Sequence, residues 1–122
     1  MDRKTELKRQ YRENPPAAGV FVVTNRANGK VFVGSGHNVQ GVLNSQRAQL
    51  KWHSHMTRAL QQDFDQYGET QFEFAVVDTL EPSGEPGHDL VEELRALEAL
   101  WLDKLQPYGD RGYNPVPRSR AK

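Results

Sequence analysis

The chain has 122 residues, 26% of them charged, and its sixteen Lys/Arg balance sixteen Asp/Glu. That length suits one domain with one modest core, and no run approaches the roughly 20 apolar residues of a membrane span. Cysteine is absent, which excludes disulfides and thiolate metal sites. With no hydrophobic region after Met1-Asp2-Arg3-Lys4, the expectation is a cytoplasmic chain without a secretory signal.

Residues 1–18 make a polar N-terminal segment, with a short helix expected over 5–13 that Pro15-Pro16 stops. Gly19 to Thr24 predicts a strand, because Val20, Phe21, Val22 and Val23 are β-branched or aromatic. Asn28-Gly29 is a strong hairpin signal, since both residues tolerate positive φ, and Lys30 to Gly34 is the return strand. Ser35-Gly36-His37-Asn38 makes a turn, with Asn38 placed to cap a helix over 39–51. Trp52-His53-Ser54-His55 interrupts. A second helix sets Met56, Leu60, Phe64 and Tyr67 on one stripe and ends at Gly68. Phe72, Phe74 and Val76 alternate with Glu73, Ala75 and Val77 in a third strand. A Pro/Gly loop over 82–87 leads to a last helix from about Asp89 to Leu105, closed by Pro107. The order β-β-α-α-β-α, with two strands joined by a hairpin, predicts an α/β (α+β) domain: a small sheet, antiparallel in at least that pair, covered by helices. Residues 115–122 are a basic tail expected to fray from Val116.

The last helix contains an anomaly. At about 100° per residue, Val91, Leu94, Trp101, Leu102 and Leu105 all fall on the side of Glu98. Burying an ionised carboxylate costs several kcal/mol or more unless it is paired or binds a metal. Glu98 is therefore half of an internal ion pair, a residue at the stripe's open end, or a group facing a pocket as metal ligand or acid–base residue. The neutral total also hides an uneven distribution. Residues 1–60 hold ten Lys/Arg against three Asp/Glu, 61–110 hold two against thirteen, and 111–122 add four cations and no acid. Two basic ends on one face would suit a polyanion; scattered, they are a solvated mixed surface.

Gly19-Val20-Phe21, the Asn28-Gly29-Lys30 turn, Phe32-Val33-Gly34-Ser35, Tyr67-Gly68 with Phe72-Glu73-Phe74, Glu98 ahead of Leu100-Trp101-Leu102, and Gly112-Tyr113-Asn114 follow one another at set spacings. In that order they resemble the GIY-YIG nuclease family over about residues 19–114. The resemblance implies a three-stranded antiparallel sheet flanked by helices. It also implies cleavage of DNA phosphodiesters with one divalent cation, Mg2+ or Mn2+, held by Glu98, and a supporting role for Asn114. Two hairpin tyrosines would position and deprotonate water, and a helix arginine would hold the phosphate.

Three positions depart from that pattern: the tyrosine positions hold Phe21 and Phe32, and the arginine position, eight residues after Gly34, holds Val42. Phenylalanine has no group to take a proton, and positioned acid–base groups typically contribute about 10²–10⁴ in rate. His37 and His55 are either imidazoles that rebuild a site or simply a turn residue and a capping group. Lys30, Arg47, Lys51 and Arg58 are the expected DNA contacts, with Arg47 either a displaced phosphate anchor or a solvated residue. The expectation is a DNA-binding domain whose cleavage is weak or lost. The alternatives are an active nuclease with rearranged groups, or a protein-interaction module without nucleic acid.

Overall fold

The computed structural model describes residues 17–81 and 89–116. The helix expected over 5–13, the loop 82–87 and all of the tail beyond Val116 lie outside the described residues. Strands β1 (Gly19–Asn25), β2 (Val31–Gly36) and β3 (Phe72–Thr79) form one antiparallel sheet in the order β2-β1-β3. Helices α1 (Val39–Lys51) and α2 (Arg58–Tyr67) lie between β2 and β3 in sequence, and α3 (Leu90–Leu105) follows β3. Architecture and element order match the sequence expectation.

Alternation along β1 divides the interior in two. Phe21 and Val23 point to one face, where Val39, Leu43, Leu50, Leu60, Phe64, Phe72 and Tyr113 join them in a core. Val20 and Val22 point to the other, with Val33, and are covered by Leu97, Trp101, Leu102 and Leu105 of α3. Full burial of one such side chain stabilises by about 1.5–3 kcal/mol, so β1, buried on both faces at five of its seven residues consecutively from Gly19 to Val23, is the keel of the fold. Trp101 also ties α3 to β3, its indole N–H donating to Asp78 Oδ2 at 3.0 Å.

Local signals act as read, with some corrections. Asn38 caps α1 by accepting from the Gly41 amide, and Asp89 caps α3 by accepting from that of Glu92. The hairpin turn is wider than a two-residue loop: β1 ends at Asn25 and β2 starts at Val31 rather than Lys30. Gly29 takes φ +80°, while Asn28 keeps negative φ and instead accepts the Lys30 amide on its side chain. Met56 is not on the buried stripe of α2; it precedes the helix and is 94% exposed. Tyr67 and Val91 are likewise exposed ends of their stripes.

Candidate functional site

The edge strand β2 organises the motif positions. Its far edge, with no neighbouring strand, is covered by residues 112–114. The Tyr113 amide donates to Val31 O, and the Asn114 side chain pairs with Val33 on both sides, Oδ1 accepting its N–H at 2.9 Å and Nδ2 donating to its carbonyl at 2.8 Å. An amide side chain thus completes the ladder that an edge strand would leave open. Gly112 must be glycine for this segment to fit, because a Cβ there would lie 2.5 Å from the Pro107 backbone.

Each residue from Phe32 to Gly36 meets one motif position. Phe32 is itself the second ring position, with its centroid 6.2 Å from that of Phe21. Val33 carries Asn114. Phe21, only 2% exposed, leans from β1 across Gly34, where an added Cβ would lie 2.3 Å from its Cζ. Ser35 donates its hydroxyl to Glu98 Oε2 at 2.7 Å. A Cβ at Gly36 would lie 2.5 Å from Val42 Cγ2. The pleat sorts these contacts: Phe21, Phe32 and Val42 pack on the α1–α2 side, whereas Ser35 follows Val31 and Val33 onto the α3 side and meets Glu98 there.

Glu98 is half-buried, and no lysine, arginine or histidine among the described residues pairs with it. The internal ion pair weighed from sequence is therefore not found there; its visible partner is a hydroxyl. Among the described residues there is also no group of three or more His, Asp or Glu able to enclose a metal ion.

His55 joins the ring face, its imidazole edge-on to Phe32 with centroids 5.6 Å apart. Nδ1 accepts the Thr57 amide at 3.0 Å, and Nε2 lies against Gln46 Oε1, an acceptor, so the proton sits on Nε2. Burial lowers the His55 pKa below the ordinary histidine value. His37 is exposed in the turn before α1. Arg47 and Lys51 both reach Glu69 at 3.6 Å, and Arg47 also covers the Phe74 ring at 4.7 Å. Lys30 sits 5.7 Å over the Tyr113 ring. Arg58 is exposed and has no ion pair with a described residue. The four expected DNA contacts are thus dispersed over β2's approach, α1 and α2 rather than gathered at one point.

Two supporting groups escaped the sequence reading. Buried Asn25 donates to the Tyr113 hydroxyl at 3.0 Å, and that hydroxyl donates to Asp63 Oδ2 at 2.6 Å. Burial first, then the Asp63 hydrogen bond and its charge, push the Tyr113 pKa up to about 12. Buried Gln61 donates to Leu50 O and Asp65 and accepts the His55 amide. Neither stands out in sequence: the partner of Asn25 is 88 residues away, and a single glutamine on a polar helix gives no sign of its burial.

No family model matches the sequence, and no curated protein does. Solved structures do match in shape. The catalytic domain of the homing endonuclease I-TevI superposes with a TM-score of 0.64 and 24% identity, over 82% of this chain and 99% of that domain. A mutant of the catalytic domain of intron endonuclease I-TevI gives 0.64 and 21%, over 80% and 92%. With the sheet order and the helices, the likeness defines the architecture: this chain has a GIY-YIG-like fold.

Proposed function

We propose that the domain binds DNA on the side of the hairpin and that its phosphodiester cleavage, dependent on Mg2+ or Mn2+, is weak or lost. The observation that carries this reading is the arrangement along β2. The positions that the family resemblance assigns to chemistry are all docked on one strand, yet three of them end in hydrocarbon. Phe21 and Phe32 have nothing to orient or deprotonate water. Val42 has no guanidinium for a phosphate. Removing acid–base groups of this kind costs about 10²–10⁴ in rate.

The residues that remain fit a cation shared with substrate. Mg2+ is commonly bound through one or two carboxylates together with substrate phosphates. Glu98, unpaired by any described cation, offers one carboxylate, and Ser35 fixes its rotamer. A bound divalent cation would stabilise charge developing on the phosphate. Asn114 holds the backbone of Val33, and through it the rings on either side.

Residual cleavage has one supporting observation, the imidazole of His55 beside Phe32. Its one lone pair, on Nδ1, accepts the Thr57 amide, so work as a base requires that bond to open or the proton to move from Nε2 to Nδ1. Incubating supercoiled plasmid with Mn2+ and the parent or Glu98→Ala protein tests this reading. A parent that nicks no faster than Glu98→Ala fits lost cleavage. Rapid nicking that Glu98→Ala abolishes refutes it and establishes an active nuclease.

A further inference from the structure

The loop between α1 and α2 is densely hydrogen-bonded and yet holds two large apolar side chains in solvent. Trp52 is 80% exposed and Met56 94%. Flexible loops can hide such residues; this one is pinned at almost every amide. Those of Trp52, His53 and Ser54 donate to the carbonyls of Ala48, Leu50 and Gln49, that of His55 to Gln61 Oε1, and that of Thr57 to His55 Nδ1. His53 takes φ +59°, a left-handed conformation uncommon for a residue with a Cβ, and Asp65 Oδ1 holds its ring at 2.9 Å. Buried Gln61 bridges the loop to Leu50 O. Ordering of the loop has thus been met in advance by the fold, and pre-organisation of exposed apolar groups favours a binding role.

The surroundings identify the partner's chemistry. From residue 14 to residue 62 the sequence holds five Lys/Arg and no Asp or Glu. Glu69 and Asp65 answer Arg47, Lys51 and His53 from α2 and beyond, while Arg58, at the loop's end, has no ion pair with a described residue. The loop is continuous with the motif face through His55, edge-on to Phe32. An aromatic and a thioether on a loop that ends at Arg58, a guanidinium with no ion pair to a described residue, suit a flat base attached to a phosphate backbone.

Resting on the DNA-binding reading above, we propose that Trp52 and Met56 form a platform for an unstacked nucleobase, giving the domain a preference for DNA with an extrahelical or unpaired base over intact duplex. Stacking on one aromatic side chain is typically worth on the order of tenfold in affinity. Fluorescence anisotropy with a labelled intact duplex, and with the same duplex carrying a single-base bulge, measures it. The parent protein is expected to bind the bulged DNA about tenfold more tightly. Trp52→Ala should remove that preference with little change on intact duplex, and Trp52→Phe should keep most of it. Equal binding of both DNAs by the parent, or a preference that survives Trp52→Ala, overturns the platform and leaves DNA binding standing. Binding of neither DNA overturns the DNA-binding reading itself.

Discussion

Phe21 fills the space between the edge strand and the α1–α2 core. Its ring tip lies over Gly34 of the edge strand, so a hydroxyl added at Cζ would project toward that edge rather than deeper into the core. Phe21→Tyr combined with Phe32→Tyr and Val42→Arg is therefore expected to fold and to acquire measurable Mg2+-dependent plasmid nicking, which a further Glu98→Ala removes. A folded but inactive triple variant would mean that the site has drifted beyond these positions. Gly34 has the converse role. Gly34→Ala drives a methyl into the Phe21 ring and should destabilise by about 1–3 kcal/mol, read from the urea midpoint. In sequence, Glu98 stood out by helical phase, whereas Phe21, Phe32 and Val42 stood out only through the family resemblance. The Ser35–Glu98 bond was not legible, because the two residues are 63 apart and Ser35, expected in a turn, lies instead near the end of β2.

At the scale of elements, the strands and helices were legible because local signals agreed with one another: the Asn-Gly turn, the Asn38 and Asp89 caps, and the period of each helix. The edge of β2 was not. An asparagine after a glycine and a tyrosine reads as a loop residue, yet Asn114 acts as a one-residue strand against Val33. Asn114→Ala leaves the Val33 amide and carbonyl without these partners. It should cost about 1–3 kcal/mol and speed hydrogen exchange at the Val33 amide well beyond that at Val22. The tyrosine next to it links elements in the same way. Tyr113→Phe strips buried Asn25 of its acceptor and Asp63 of a donor, and should destabilise by a similar amount.

For the whole molecule, stability should fall at both ends of the pH range. Burial favours neutral His55, so the unfolded chain binds more protons below about pH 6.5 and stability declines as pH drops from there toward the lowered folded pKa. Tyr113 acts at the alkaline end. Its phenol stays protonated in the fold up to about pH 12 but only to about 10 when unfolded, so stability is lost as pH rises from 10 toward 12. His55→Gln should flatten the acid limb and Tyr113→Phe the alkaline limb of urea midpoints measured against pH.

The charge pattern also acts at this scale, since a neutral total conceals a stretch of 49 residues, 14 through 62, that carries cations alone. If that stretch meets phosphates, affinity must fall linearly with the logarithm of salt concentration, with a slope near the number of phosphates neutralised. Binding without cleavage is tested by one titration of labelled branched duplex with the full chain in Mg2+ at several salt concentrations, the complexes then being denatured to inspect the DNA. The expected result is a salt-sensitive complex from which intact strands are recovered. Absence of a complex at low salt, or strands recovered as Glu98-dependent fragments, would contradict it.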